Sequence, residues 1–555
     1  LSFVPRQQTR KETIHVKNSK PIAIQVRTSN TGVIITDNDV AEQLSMSSRM
    51  NAANARTIAF KWVSTDPTIP DKSISSFLKI NLAHNYNDYR NALKEYVAPA
   101  QNFIFADVDG NIGYQMPGKV PRRANGHTGK RPISGDGRFA WQTTTTTSSR
   151  DGTTTTATSS IDFDHMPRAY NPPKGFFASA NNRVVPPVSS VTGEDPFAKQ
   201  GYVLSHDWDG SNMGYRSRSI TRMIEDWSDN GMATRGKAPP RKLNMTGMQH
   251  IQLSYASGLW EDFSPFLSRL LTETSAAALL SSASKEWIPK LVDNTTTGFR
   301  GIMKVGAIEP TLFQQWLLRV LQLISKVPTS NSFQSSFLPK RMFNVNWVLG
   351  ALANGHPACN MNSPQSSPTG GRAVRSGVSG VSGVSGASSS SSSSSSLPSS
   401  SSSSTNCLAF AAVQLNQVIE QYQVGSTMKK PVPRWGIDVH RAVFEHQILH
   451  TTPLACLGDR QVEHGGDDST VNVGHVNSDA AMTQTAGPSY RHLVDLSAPD
   501  VNSLFLNPLG QSGDVFSYLY DNLLNMWSTG RYMKMGQYEE TSRQAGNDVR
   551  VLVNR

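Results

Sequence analysis

The chain has 555 residues, enough for several domains or one large multilayer enzyme. Apolar residues make up 37% and charged residues 17%, both diluted by low-complexity tracts. The formal net charge of +11 could suit an acidic partner, but the densest basic stretch (Lys119, Arg122, Arg123, Lys130, Arg131) is broken by Pro and Gly and has no interleaved aromatics, so nucleic acid is not an expected partner.

The first elements read as β structure. Glu12–Lys17 and Ile22–Arg27 alternate apolar and polar residues around an Asn-Ser-Lys-Pro turn, as a hairpin does. Gly32–Asp37 and Thr57–Trp62 read as two more strands. From Pro70 to Tyr96 the apolar residues Phe77, Leu78, Ile80, Leu82, Tyr89, Leu93 and Tyr96 follow a 3.6-residue period, which predicts helix. Residues 102–114 read as strand, Asp-Gly turn and strand. The Asp107-Val-Asp109-Gly110 string does not continue with EF-hand spacing, so a hairpin turn is expected there and not a calcium loop. Gly135-Asp136-Gly137 is another turn. Thr143–Ser160 has no apolar periodicity and is expected to be an inserted solvent loop.

After a Pro-Pro-Lys-Gly turn at 172–175, an apolar strand is expected to end in two adjacent amides, Asn181 and Asn182. Residues 215–350 look mainly helical. The amphipathic segment Phe313–Ile324 is expected to pack as core. Residues 362–405, with a Ser-Gly-Val repeat and a serine run, cannot bury enough apolar area to offset their ordering entropy, and a disordered linker is expected. Helix resumes over Val413–Tyr422, and the end from Pro431 is mixed and turn-rich. The implied division is 1–210, 211–361, 362–405 and 406–555.

Three cysteines without a Cys-x-x-Cys pair (Cys359, Cys407, Cys456) argue against a disulfide framework and a zinc knuckle. No run of about 18 apolar residues exists, so no membrane-spanning helix is expected. His446 and His450 are spaced for one helix face, but Glu445 precedes the pair, so the His-Glu-x-x-His order of a zinc hydrolase is absent; His440 does not supply it. Asp467, Asp468 and Ser469 near His464 do not make a triad, because adjacent residues on one strand face opposite ways and no Gly-x-Ser-x-Gly elbow exists. That segment reads as a loop beside a cleft.

Several local patterns, in order along the chain, resemble the penicillin amidase family of N-terminal-nucleophile hydrolases. They are Lys11–Lys17, the Ala106–Tyr114 hairpin, Ile161–Pro173, Asp207-Trp-Asp209 followed by Gly214–Ile220, Arg434-Trp-Gly436 with His440 and His446, Gly465–Gly474, Gly487–Arg491, Gly510–Gly513 and Gly530–Tyr532. One such match is weak; the ordered series from about residue 11 to 535 is specific.

The resemblance implies an α+β fold, the four-layer αββα sandwich, with a large helical lobe. It implies hydrolysis of a linear amide through an acyl-enzyme, on a serine made N-terminal by autocatalytic cleavage. Asn181 corresponds to the family's oxyanion-hole amide and Arg216 to the arginine that orients it. Asn182 and Arg183 are neighbouring candidates for substrate contact. Taken alone, Asn181 reads as a satisfied turn amide and Arg216 as a surface arginine at a helix start. Asp207 or Asp209 would supply one carboxylate to a structural calcium, or is a plain turn aspartate; no other cofactor is implied.

The family's serine lies upstream of the Glu12–Lys17 strand, and Ser2 does not fit its junction. The chain therefore reads as a fragment, inactive and poorly soluble alone, whose partners are the amide substrate, the A-chain and the first part of the B-chain. The alternative is a pseudoenzyme or binding module that keeps the acyl cleft without a nucleophile. Localisation stays open, although bacterial relatives are commonly exported.

Overall fold

The structure is a computed structural model that describes residues 8–17, 19–29, 32–35, 58–124, 127, 129, 133–182, 214–229, 243–321, 345–354, 359, 407–424, 427–428, 430–497 and 503–535. The tract read as a linker, 362–405, lies outside the described residues, as do Lys130, Arg131, Arg183, Asp207 and Asp209.

An antiparallel sheet opens the chain, in the order β1 (Gln8–Ile14), β2 (Ile22–Ser29), β3 (Gly32–Ile34), β4 (Ala59–Phe60). The β1–β2 register pairs Ile14 with Ile22 and Gln8 with Thr28, so the alternation read from the sequence is the hairpin observed. This sheet is sparsely covered: Ile14, Ile22 and Phe60 are each about half exposed.

The helical window breaks into α1 (Ser73–Ile80) and α2 (Tyr86–Leu93). Asn85 caps α2, its side chain accepting from Asp88 N at 3.0 Å, and this supplies the break that periodicity does not show. The two helices lock through buried Ser76, whose hydroxyl donates to Ala92 O at 2.7 Å.

A second sheet has the order β5 (Phe103–Ala106), β6 (Ile112–Gln115), β9 (Arg168–Tyr170). Gly113 on β6 is required by packing, because a Cβ there would lie 2.3 Å from the Tyr86 ring of α2. That ring also stacks on Tyr170 at 4.6 Å. So α2 clamps β6 and β9 together next to the 171–182 segment.

The Thr-rich tract is a correction. It forms a two-stranded hairpin, β7 (Thr143–Thr147) with β8 (Thr154–Thr158), and is not an irregular loop. Its strands are mostly solvent-exposed, so apolar periodicity was silent. β-Branched threonines favour extended backbone, and hydroxyl pairs such as Thr145–Thr156 at 3.1 Å cross the ladder.

The helical lobe holds the largest core. α3 (Tyr215–Asp229) and α4 (Met245–Gln252) lead into α5 (Gly258–Thr272), which buries Leu259, Phe263, Leu267 and Leu270 along one stripe. α6 (Glu309–Leu321) buries Phe313, Trp316, Leu317 and Val320, the core role expected for this amphipathic segment. α7 (Cys407–Glu420) is buried on almost every side between them.

Cys359 and Cys407 form a disulfide with Cα atoms 5.1 Å apart, across a sequence separation of 48. This corrects the reading against disulfides: the argument from count and spacing fails for a single bridge that brackets a long insertion. Cys456 is free and exposed.

The C-terminal part pairs β10 (Ala442–Phe444) with β11 (Arg460–Val462), and β12 (Arg491–Leu493) with β13 (Leu504–Leu506) and β14 (Met533–Lys534). The architecture is α+β, and no described helix is long and apolar enough to cross a membrane.

Candidate active site

The segment after β9 sets the site. Pro172 and Pro173 lack N–H donors, and Gly175 N closes a turn on Pro172 O at 2.8 Å with Gly175 φ at +72°. After this turn, residues 176–182 join no ladder among the described residues, which corrects the expected apolar strand. The segment ends with Asn181 at φ +58°, in the left-handed region that Asn tolerates better than most residues. Asn182 Oδ1 accepts from Ala180 N at 3.0 Å, which folds the turn onto itself.

This turn meets the start of α3. Gly214 has φ +56°, and a Cβ there would lie 3.0 Å from Asn182 Cβ, so the two segments are in close approach. Tyr215 is fully buried and anchors the helix start. Arg216 follows it, and its Nη2 donates to Asn181 Oδ1 at 2.8 Å. Oδ1 accepts from the fixed Arg216, which orients the amide, and the Asn181 N–H donors have no partner among the described residues.

A second layer fixes the preceding residues. Asn102 Nδ2 donates to Ser179 Oγ at 3.1 Å, while Tyr114 OH on β6 donates to Asn102 Oδ1 at 2.7 Å. Burial raises the Tyr114 pKa, so this hydroxyl stays a donor.

These groups line a cavity of about 610 Å³. Its walls include Gln101, Asn102, residues 179–181, Arg216, Ile220, Gln252, Val471, Val473 and residues 487–491. None of these lining residues is Asp or Glu, so the described wall presents hydrogen-bond donors and cations without a carboxylate.

The Gly465–Gly474 loop supplies the valines. Asp467 is fully buried behind it and accepts from Ser257 Oγ at 2.6 Å, Gln314 Nε2 at 2.8 Å and Ser469 N at 2.8 Å. Burial pushes its carboxyl up, and the bonds from Ser257 and Ser469 oppose that shift. Ser257 is also the cap of α5, so Asp467 ties the loop to the helical lobe. At the loop's far end, Asn472 Oδ1 accepts from Arg491 Nη2 at 3.1 Å, and Arg491 Nη1 donates to Trp527 O at 2.6 Å.

The competing constellations do not assemble. His464 Nδ1 donates to Gln484 Oε1 at 3.0 Å and stacks on Trp527 at 4.4 Å, turned to neither Asp467 nor Ser469. Residues 442–450 are strand and turn, not helix, so the His446–His450 spacing has no helix face. His450 pairs instead with Asp459 at 2.7 Å, and His440 stacks on Trp435 at 4.0 Å. Among the described residues no group of three or more His, Cys, Asp or Glu could hold a metal ion, and the calcium candidates Asp207 and Asp209 lie outside them.

Of the residues singled out from sequence, the structure brings Asn181 and Arg216 into contact and sets Asn182 beside them, with its side chain turned back to Ala180. Asn102 and Gln252 were not anticipated; they sit in no short motif and reach the cavity only through the fold.

The penicillin amidase family model matches residues 5–544, and the chain belongs to this family. The acyl-homoserine lactone acylase QuiP of Pseudomonas fluorescens Pf-5 is 24% identical over 98% of this chain, and the aligned part is 56% of that protein. Penicillin G acylase of Escherichia coli is 26% identical over 39% of this chain and 20% of its own length. The chain thus spans about half the length of the first of these relatives. In three dimensions it superposes on a thermostable penicillin G acylase from Alcaligenes faecalis with TM-score 0.59, 16% identity, and coverage of 99% of this chain and 82% of that one, which shows the shared fold.

Proposed function

We propose that this chain forms the Asn181 side of the active site of an amide hydrolase of the penicillin amidase type. Its fold is read as the four-layer αββα sandwich with the helical lobe attached. The nucleophile is a serine made N-terminal by autocatalytic cleavage, contributed by polypeptide outside this chain together with the A-chain. Its α-amine has an ordinary pKa near neutrality and serves as base. The hydroxyl adds to the amide carbonyl and an oxyanion develops. The amine leaves, and water hydrolyses the resulting acyl-enzyme. No metal ion or other cofactor enters these steps.

One observation carries the reading. Arg216 donates to the oxygen of Asn181 at 2.8 Å and so orients the amide, whose N–H donors are left to the cavity, the polarity a developing oxyanion needs. Asn182, beside Asn181, and Arg183, the next residue in sequence, are proposed to support substrate. The acyl-homoserine lactones and the penicillin G named for the relatives are the first substrates to try.

The test is amide hydrolysis by the complete gene product. Asn181→Ala is expected to lower kcat by about 10²–10³, the effect of losing one oxyanion donor. Full activity in that variant would overturn the role of Asn181. Binding of these amides without any cleavage by the unaltered protein would favour the pseudoenzyme instead.

A further inference from the structure

Gln252 is the last residue of α4, half-buried on the cavity wall. Its Oε1 accepts from Tyr532 OH at 2.6 Å, across a sequence separation of 280. The contact is held by backbone approach: Gly530 has φ +69°, and a Cβ there would come 2.9 Å from Leu253 Cδ1, next to Gln252. Burial raises the Tyr532 pKa, so its hydroxyl remains protonated and donates. The Gln252 Nε2 hydrogens have no partner among the described residues. This repeats the arrangement at Asn181, where the oxygen is occupied by a fixed donor and the NH₂ is left over. One cavity therefore carries two carboxamides whose acceptor ends are both taken.

We propose that Gln252, oriented by Tyr532, is a specificity-determining donor that binds an acceptor oxygen on the ligand other than the scissile carbonyl. The ligands so favoured are amides bearing a ketone, ester, lactone or carboxylate oxygen beside the reacting bond. Amides with a plain hydrocarbon at that place lose this contact. The inference rests on the amide-hydrolase reading only for identifying the cavity as the ligand site. Tyr532 acts through Gln252 as a positioning residue.

The experiment compares two alkylsulfonamides, one N-substituted with a cyclopentanone and one with a cyclopentane. Neither can form an acyl-enzyme, so binding to the complete protein is read by calorimetry apart from turnover. The unaltered protein is expected to favour the ketone by about tenfold, the size of one neutral hydrogen bond. Gln252→Glu keeps an acceptor for Tyr532 but replaces the donor, and is expected to abolish or reverse the preference. Tyr532→Phe, which frees the amide to turn, is expected to reduce the preference about threefold. Equal binding of both ligands by the unaltered protein, or an equal loss of both in Gln252→Glu, overturns the role of Gln252 and leaves the hydrolase reading standing. Failure of both ligands to bind overturns the assignment of the cavity itself, and this inference with it.

Discussion

The helical lobe and the β1–β4 sheet are stabilised in opposite ways. The lobe closes on itself: α5, α6 and α7 interdigitate around Phe263, Trp316 and Leu415, all fully buried. The sheet has a complete hairpin ladder, yet it leaves Ile14, Ile22 and Phe60 about half exposed. Among the described residues the sheet relies mainly on backbone pairing, with Ile34 its one buried apolar side chain, whereas removal of apolar surface from water supports the lobe. Substitutions should therefore register strongly in the lobe and faintly in the sheet.

The largest contrast is expected at Trp316. Trp316→Ala should cost the lobe about 5 kcal/mol, the upper end of the range for a fully buried ring, read as a shift of the denaturant midpoint. A cost below about 1 kcal/mol would show that the lobe is not a packed core. Next comes the disulfide. Cys359→Ser releases a loop of sequence separation 48, for which chain entropy gives about 4 kcal/mol, and reducing agent should reproduce the loss in the unaltered protein.

A pH effect follows from His464, which packs between Tyr255 and Trp527 outside both regions. Burial holds its imidazole at about 4, below the ordinary 6.5. The folded state thus favours neutral His464; its contribution is present above about pH 6.5 and is lost as pH falls toward 4, up to about 3 kcal/mol. His464→Gln removes the titration, so the stability difference between pH 7 and pH 4.5 should shrink by that order. The smallest effect is expected on the sheet, where Phe60→Ser should change stability by about 0.5 kcal/mol or less. A loss of several kcal/mol there would mean that the sheet is buried in the assembly measured, and the contrast between the regions would fail.

Much of the local structure was legible because its signals are local. Alternation over 12–27 marks the β1–β2 hairpin, and the Asp-Gly turn at 109–110 marks β5–β6. The core stripe of α6 follows from spacing alone. The Thr hairpin was missed because neither strand buries a side-chain face, and periodicity reports only burial. The Cys359–Cys407 bridge was missed because a low-complexity tract separates its ends in sequence.

The site was legible in a different sense. Asn181 and Arg216 came from resemblance to a family, and nothing in either residue's spacing forces their contact at 2.8 Å. Gln252 was invisible because its partner Tyr532 lies 280 residues away, and only tertiary structure joins them. The expected strand before Asn181 is not observed: residues 176–180 keep their N–H donors but pair with no strand among the described residues.

The Cys359–Cys407 bridge has a consequence for how this gene can change over time. It holds the Cα atoms of Cys359 and Cys407, one on each side of the serine-rich stretch of sequence, 5.1 Å apart. Doubling the length of such a loop adds only about 0.6 kcal/mol of closure entropy. A change in the number of residues between Cys359 and Cys407 therefore leaves the two anchor points, and with them the start of α7, held by one covalent bond.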